Sequence, residues 1–367
     1  RGLGDVYKRQ GMFEEVELHG DAKIAEKVDF SWDSWSDLSF QKAFQYRHYG
    51  HLGFRPDLIR FRNQLDVSLF KSPTNSVILG KNNQLYSRGN FESAIGRDFV
   101  GDSALLAEVN RIKTLQDFLR QKGIIVLTVL TPNKMRAQFD DLPADHLETL
   151  KNFDSIANPT NYARFLHHAQ QRQIDLIDLN PIFRHWLPKA EYPFFPNTGY
   201  HWTDFGATVG MDYLFTEMSR RSGKPYPRIQ VDKYVNAPDG KTTDQDLAEL
   251  LNVRFPPKVE GIYLPELADV QIPEAQKPRV LTISDSFWWK VYDQKIPHRY
   301  FKAGSPFWYY CDQVYVPGIE APGSINNVDP VNAIEPVDFV LLMTNEGNLG
   351  EFDWACVEGI LRRYAGK

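Results

Sequence analysis

The chain has 367 residues, of which 42% are hydrophobic and 24% are charged. This length favours one large α/β unit with insertions, or one domain with a small appendage. The net charge of −5 gives no reason to expect nucleic acid as a partner. The sequence contains no run of eighteen or more apolar residues, which a transmembrane helix would need.

Both the N-terminus and the cysteines limit what the sequence predicts. Residues 1–10, RGLGDVYKRQ, lack a starting Met and read like translated vector sequence, so they are excluded from fold reasoning. A native signal peptide or anchor is then expected to be missing from this sequence. Cys311 and Cys356 lack metal-ligand spacing, which argues against a metal site and leaves no cofactor predicted. They form either one disulfide or two buried thiols, and the sequence leaves both open.

The first part of the chain is predicted to be an extension packed on a core domain. Residues 11–73 form this N-terminal extension, and apolar residues at helical spacing within 54–70 predict an amphipathic helix. The main domain is predicted to span 74–367 and to begin with a strand, a turn and a second strand in SVILGKNNQLYS. A helix over 103–121 then precedes the fully apolar stretch 124–132, which predicts a buried strand.

The rest of the chain repeats this alternation of helix and buried strand. A Pro-rich, polar stretch of about 222–278 interrupts it and is predicted to be a surface insertion. The pattern predicts an open, doubly wound, mainly parallel sheet with helices on both faces, whose ligands lie at the carboxyl ends of the strands. The remaining predicted elements are helices near 159–171, 204–221 and 351–364, and strands at 174–179, 279–287 and 337–348.

Two residues at predicted strand ends or helix starts could carry nucleophilic chemistry. Ser286 follows the apolar strand in TISDSF, where a hydroxyl is exposed near helix N–H groups, although a helix-capping Ser also suits this position. His201, in YHWTDFG, stands just before a predicted helix, where a structural loop His is the alternative. A Ser needs a base to become a nucleophile, and His suits that task near neutral pH.

Other polar residues at the same predicted edge are candidates for supporting roles. Asn345 and Glu346 end the strand in LLMTNEG and could donate to or support an oxyanion site, and Asp285 directly precedes the Ser. Lys134 and Arg136, after the 124–132 strand, are candidates for holding an acidic substrate group, with solvated surface charge as the alternative.

Aromatic residues make up 13% of the chain and cluster near these motifs. A groove that stacks on sugars is one interpretation, and a well-filled core is the other. Trp289 should face differently from Trp288, so one of the two is expected to line the cleft. The aromatic candidates for substrate binding are Tyr200, Trp202, Trp288 and Trp289.

Together these motifs resemble the SGNH (GDSL-like) hydrolase superfamily. His201 precedes Ser286 by 85 positions, the reverse of the superfamily order, and this resembles the circularly permuted SGNH-like domain of the alginate O-acetyltransferase family. Further matches are ILGKNNQLY (78–86), PNK (132–134), DLAELLN (246–252) and NEGNL (345–349). The resemblance covers roughly residues 40–365.

The resemblance implies roles for particular residues. Ser286 would be the nucleophile, His201 the general base and Asn345 a weaker match to the oxyanion Asn. Two positions depart from the family pattern: Ser284 stands where a Gly usually precedes Asp-Ser, and Gly199 stands where Asp-x-His-Trp has its orienting carboxylate.

The missing carboxylate leaves the third member of a triad open. A backbone carbonyl, Asp204 or Glu346 could replace it, and the preferred interpretation is a Ser–His dyad that is weakened or is rescued by a group from a distance. The main alternative is an inactive site.

Three functions follow from the resemblance. The first is a periplasmic or cell-surface O-acetyltransferase that acetylates a polysaccharide through a Ser286 acyl-enzyme, with a membrane-bound partner that delivers the acetyl group. The second is a carbohydrate esterase that uses the same residues. The third is a catalytically silent glycan-binding or assembly protein, for which Gly199 is the best sequence evidence.

Overall fold

A computed structural model describes residues 18–19, 29–50, 55–71, 75–153, 158–352 and 354–366, and for 45–50 the backbone alone. The vector-like segment predicted at 1–10 lies outside these residues. Within the described ranges, no helix has the length and apolarity that crossing a membrane requires.

The first half of the chain supplies the N-terminal helices and one edge of the central sheet. An amphipathic helix predicted over 54–70 corresponds to an observed helix over Arg55–Phe70. The elements in chain order are α1 Trp32–Ser36, α2 Ser39–Gly50, α3 Arg55–Phe70, β1 Val77–Leu79, β2 Leu85–Ser87, α4 Arg88–Ala94, α5 Asp102–Arg120, β3 Ile125–Leu130, α6 Lys134–Ala137, α7 Ala144–Leu150, α8 Asn161–Gln171, β4 Leu176–Asp178 and α9 Leu179–Trp186.

The second half supplies the remaining strands and the helices that pack on them. Short 3₁₀ turns connect several of these elements, including Glu346–Glu351 after the last strand. The elements are α10 Asp204–Ser222, β5 Val231–Asn236, α11 Asp246–Leu250, β6 Tyr263–Leu267, β7 Val280–Ser284, α12 Trp288–Asp293, α13 Ile296–Tyr300, β8 Phe307–Tyr309, β9 Gln313–Tyr315, β10 Gly323–Ser324, α14 Pro330–Ile334, β11 Phe339–Thr344 and α15 Cys356–Ala365.

The central sheet has seven strands in the order β10-β9-β8-β7-β11-β3-β4. The five strands from β8 to β4 run parallel, and β9 and β10 add an antiparallel edge. β11 lies in the middle, with Phe339 opposite Val280 on one side and Ile125 on the other. The prediction of an α/β fold with a mainly parallel sheet is therefore confirmed.

The buried strands read as continuous apolar runs because helices cover both faces of the sheet. Along β11, Leu341 and Met343 belong to one apolar cluster, whereas Val340 and Leu342 belong to another on the opposite face. This alternation follows from the two-residue period of a strand. The first cluster includes residues of α10, α12 and α13, and the second includes residues of α5, α8 and α15.

The Pro-rich stretch differs from the predicted surface insertion in its middle part. Its two strands, β5 and β6, form an antiparallel ladder with largely exposed or half-buried residues. Between them, however, Leu247 and Leu251 are fully buried and pack against Val77 and Leu85. Apolar side chains on α11 therefore anchor this segment to the main domain beside β1 and β2.

Cys311 and Cys356 form a disulfide that closes 45 positions of sequence. It joins the turn after β8 to the first residue of α15. Beside it, the ring of Tyr310 contacts the ring of Trp354 edge-on, with centroids 5.2 Å apart. The bond thus ties the edge of the sheet to the C-terminal helix.

Replacing both cysteines, in the variant Cys311→Ala/Cys356→Ala, should lower the free energy of unfolding by about 2–4 kcal/mol. The reason is that the crosslink limits the freedom of the unfolded chain. Urea denaturation followed by circular dichroism measures the loss. A reductant should destabilise the wild type and leave the double variant unchanged; equal stability with and without reductant would contradict the prediction.

Candidate active site

Three parallel strands end at one edge of the sheet, and the candidate residues follow directly after them. β7 ends at Ser284 and leads to Ser286, while its neighbour β11 ends at Thr344 and leads to Asn345. β3, on the other side of β11, leads to Asn133. The carboxyl ends of parallel strands are the usual place for ligand sites in such sheets.

Ser286 and His201 lie within hydrogen-bonding distance although 85 positions separate them. The Ser286 Oγ is 2.8 Å from the His201 Nε2. A second bond, from the Trp202 indole N–H to the Phe287 carbonyl at 2.9 Å, joins the same two loops. Thr203 caps α10 by accepting from the Gly206 N–H, which fixes the loop that carries the histidine.

The other ring nitrogen of the histidine contacts a carboxylate that the sequence did not single out. Asp246 Oδ2 lies 2.6 Å from His201 Nδ1. Its Oδ1 accepts the Tyr200 backbone N–H at 3.1 Å, so both oxygens are oriented. Ser286, His201 and Asp246 thus have the connectivity of a Ser-His-Asp triad, with the acid on α11.

Gly199 leaves the space into which this carboxylate fits. A Cβ atom at position 199 would lie 3.0 Å from Asp246 Oδ1 and 3.0 Å from the Asp244 carbonyl oxygen. Contacts this short require a neighbour to move. A side chain at position 199 would therefore require the Asp246 carboxylate or another neighbour to shift from its observed position.

The predicted replacements for the orienting group lie elsewhere. Asp204 is fully buried and binds Lys290 and Lys241. Glu346 receives two hydrogen bonds from Arg136, each 2.5 Å long. Beside the predicted Ser–His dyad, α11 places the carboxylate of Asp246, which comes from 45 positions further along the chain than His201.

Asp285 and Asn345 hold the two strand ends together. Asp285 Oδ2 accepts from the Asn345 backbone N–H at 2.7 Å and from the Asn348 side chain at 2.9 Å, and Oδ1 accepts from the Phe287 N–H at 3.0 Å. Burial raises the pKa of Asp285, and these hydrogen bonds oppose the rise. Asn345 is one of the residues that border the same cavity as Ser286; its side-chain amide donates to the Thr131 hydroxyl at 3.4 Å and its Oδ1 accepts from the Gly347 N–H at 3.3 Å.

Lys134 and Arg136 bind protein groups in positions where they do not line the Ser286 cavity. The Lys134 ammonium is buried and donates to backbone carbonyls, with distances of 2.6 Å to Pro196 and 3.1 Å to Gly199. Burial lowers the pKa of Lys134 to about 7, and the nearby Asp246 and Asp141 oppose this. Both residues were candidates for holding an acidic substrate group. In the structure Lys134 instead binds carbonyls of the loop before His201, and Arg136 binds the Glu346 carboxylate.

The aromatic candidates separate into core and cavity residues. Trp202 and Trp288 are fully buried and belong to the apolar cluster on one face of the sheet. Trp289 is half-buried and packs edge-on against Tyr315, with centroids 4.7 Å apart. Trp202, Trp288 and Trp289 are therefore not among the described residues that line the cavity at Ser286, because the first two pack in the core and the third packs on Tyr315; Tyr200 does line it.

A cavity of about 490 Å³ opens on Ser286. Its walls come from α4, α11, the turn after β8 and the loop after β11. Asp246 and α4 were missed by the sequence reasoning, although DLAELLN was matched as a motif. The described lining residues are Ser87, Gly89, Asn90, Glu92, Ser93, Arg97, Asp98, Tyr200, Leu247, Leu250, Asp285, Ser286, Phe287, Tyr310, Asn345, Gly347 and Asn348.

A buried group of charges joins the three segments that carry the triad. Lys290, on the helix after Ser286, binds Asp204 at 3.1 Å and Asp244 at 2.6 Å. Asp204 begins the helix after His201, and Asp244 lies two residues before Asp246. All three side chains are at most 2% exposed. The ammonium thus fixes the Ser, His and Asp segments relative to one another.

Lys290→Met should lower the free energy of unfolding by about 3–5 kcal/mol, because it leaves two carboxylates buried with less compensating charge. Lys241→Met is the matched control, since Lys241 binds the same Asp204 with a side chain that is 36% exposed. Its loss should be clearly smaller. Chemical denaturation measures both, and equal losses would mean that Lys290 has no special structural role.

Comparisons with known proteins identify the family of the chain. A family model described as "SGNH hydrolase-like domain, acetyltransferase AlgX" matches residues 77–277, which is more than half of the chain. No curated protein sequence matches the chain significantly.

Solved structures with the same fold are also found. The O-acetyltransferase domain of Pseudomonas putida AlgJ is 17% identical, with a TM-score of 0.50, over 79% of this chain and 99% of that one. Pseudomonas aeruginosa AlgX is 14% identical, with a TM-score of 0.47, over 75% of this chain and 66% of that one. At 17% identity, the likeness to the AlgJ domain is one of fold.

Proposed function

Because the chain belongs to the family of the SGNH hydrolase-like domain of acetyltransferase AlgX, we propose that it transfers acetyl groups to hydroxyls of a polysaccharide through Ser286. Membership of this family supports polysaccharide O-acetylation in general. The observation that carries the specific proposal is the continuous hydrogen-bond chain from Ser286 through His201 to Asp246.

The first step is acetylation of the enzyme. The Ser286 Oγ attacks the carbonyl carbon of an acetyl donor while its proton moves to His201 Nε2, 2.8 Å away. The Asp246 carboxylate accepts a hydrogen bond from the His201 Nδ1–H and stabilises the imidazolium that forms. The Ser286 backbone N–H and the Asn345 amide are the proposed donors to the oxyanion. Collapse of the tetrahedral intermediate expels the donor's leaving group, which takes the proton from His201.

The second step reverses these roles. An acceptor hydroxyl enters the cavity, gives its proton to His201 Nε2 and attacks the acetyl carbon. Ser286 leaves as the hydroxyl and recovers the proton from the imidazolium. Water in place of the sugar would give an esterase with the same residues, so the acceptor distinguishes the two activities.

The orienting carboxylate favours a working site over a silent one. Gly199 was the main sequence evidence for loss of catalysis. Asp246 occupies the space beside that glycine and contacts both His201 and the Tyr200 backbone. Each carboxylate oxygen of Asp246 thus has a hydrogen-bond partner, which fixes the orientation in which a triad acid contacts the imidazole.

A periplasmic or cell-surface location is part of the proposal. The disulfide between Cys311 and Cys356 supports it, because disulfides persist in oxidising compartments outside the cytoplasm. Delivery of the acetyl group by a membrane-bound partner remains a further part of the proposal, carried over from the family resemblance.

Brief exposure of the wild type to 4-nitrophenyl acetate should add one acetyl group to the peptide that contains Ser286. Intact-mass and peptide-mapping mass spectrometry measure this adduct. Ser286→Ala should carry none, and Ser222→Ala, on α10, should be acetylated at the wild-type rate. An adduct of equal yield in Ser286→Ala would exclude Ser286 as the nucleophile.

Asp246→Asn should slow acetylation of Ser286 by about 10³–10⁴-fold, because an amide does not stabilise the imidazolium and favours the wrong tautomer. Stopped-flow release of 4-nitrophenolate measures the rate. Glu249→Gln, which removes an acid from the same helix, is the matched control and should stay within about twofold of the wild type. A similar loss in both variants would show that general charge, and not the Asp246 contact, sets the rate.

A further inference from the structure

We infer that the acceptor is a polysaccharide whose sugar rings carry no negative charge, and not a polyuronate. The inference rests on the proposed acetyl transfer and names the class of its acceptor. It follows from the charges that line the cavity at Ser286 and from the way in which nearby cations are already bound.

Carboxyl groups outnumber cations in the cavity wall. Among the described lining residues, the ionisable acids are Glu92, Asp98 and Asp285, and the basic side chain is Arg97. Arg97 is bound to Glu92 at 3.0 Å. A uronate carboxylate entering this space would meet a guanidinium that is already paired and the additional carboxyl group of Asp98.

Asp98 is one of the acids that line the cavity. One of its oxygens is buried and has no hydrogen-bond partner among the described residues. Its backbone carbonyl accepts from the Asn161 side chain at 3.0 Å, which fixes this segment against α8. This contact fixes the backbone that carries Asp98, so the acid stays in the segment that lines the cavity.

Three cationic side chains near the site are bound to protein groups. Lys134 donates to backbone carbonyls, Arg136 binds Glu346, and Lys290 binds Asp204 and Asp244. Freeing any of them would leave a buried carboxylate or a set of carbonyls without its donor, which is costly. These residues therefore do not serve a polyanion in the cavity.

The remaining lining suits an uncharged sugar. Ser87, Asn90, Ser93 and Asn348 offer hydroxyl and amide groups that can both donate and accept hydrogen bonds. The rings of Tyr200 and Tyr310 and the side chain of Leu247 provide the apolar surface that the face of a sugar ring requires. A cavity of about 490 Å³ is within the size range of small-ligand sites.

The test separates the acceptor from the acetylation step. Ser286 is first acetylated with 4-nitrophenyl acetate, and the yield is measured by mass spectrometry; failure here overturns the proposed function itself. The acetyl-enzyme is then mixed with oligogalacturonate or oligomannuronate, each compared with its methyl ester of the same length, and with neutral glucan, mannan and galactan oligosaccharides. Within each uronate pair the sugar and the chain length are the same, and esterification removes the charge and adds one methyl group per ring.

Neutral acceptors should remove the acetyl group from Ser286 faster than buffer does and should yield an acetylated sugar. The free uronates should be slower than their esters, and salt should reduce this difference because it screens the repulsion. Faster transfer to free uronates, equal rates within each pair, or no acceleration by any neutral acceptor would overturn the inference.

Glu92→Gln gives an independent test, because it releases Arg97 and removes one carboxylate. The ratio of free-uronate to methyl-ester rates should rise about three- to fivefold, the scale of a partly exposed charge interaction. Glu266→Gln, which removes an acid paired with Lys233 on the β5–β6 ladder, should leave the ratio unchanged. If the ratio of free-uronate to methyl-ester rates is unchanged in Glu92→Gln, the charged residues that line the cavity do not select the acceptor.

Discussion

The contact between His201 and Asp246 is the constraint around which the site is built. A histidine serves as an efficient base toward a serine when its far nitrogen is held, since the tautomer and the ring orientation depend on that bond. Here the carboxylate comes from α11, a helix of five residues within a Pro-rich segment. The segment must therefore be anchored firmly, and much of the surrounding structure does this.

Several buried interactions provide that anchoring. The Thr198 carbonyl accepts the Leu247 and Ala248 backbone N–H groups, each at 3.1 Å, and the Thr198 hydroxyl donates to the Asp244 carbonyl at 2.7 Å. The ion pair between Lys290 and Asp244 joins the same segment to the helix after Ser286. Buried ion pairs contribute little net stability but are costly to break, so they suit the fixing of one arrangement.

The same use of charge shapes the cavity. Buried cations near the site bind loops and strand ends. Lys134, for example, donates to the backbone carbonyls before His201. The cavity is left with amides, hydroxyls and a surplus of carboxyl groups. In the function we propose, the position of the triad and the choice of acceptor are linked, because both depend on where the buried cations are bound.

The sequence alone determined the sheet and two of the three residues of the triad geometry. Continuous apolar runs identify strands buried on both faces, and the residue after such a strand lies at the edge of the sheet, so Ser286 could be located from pattern and His201 from its motif before a predicted helix. The order of the His and Ser motifs indicated the family, which a model matching more than half of the chain then established.

Tertiary structure alone decided the third residue and the cavity wall. Asp246 is an ordinary acid before an apolar run, and nothing in its spacing from His201 indicates contact; the packing of Leu247 and the space beside Gly199 bring it there. Lys134, Trp202 and Trp288 were misassigned for the same reason. Local pattern gives a residue's type and its element, whereas burial and partners depend on segments far away in the sequence.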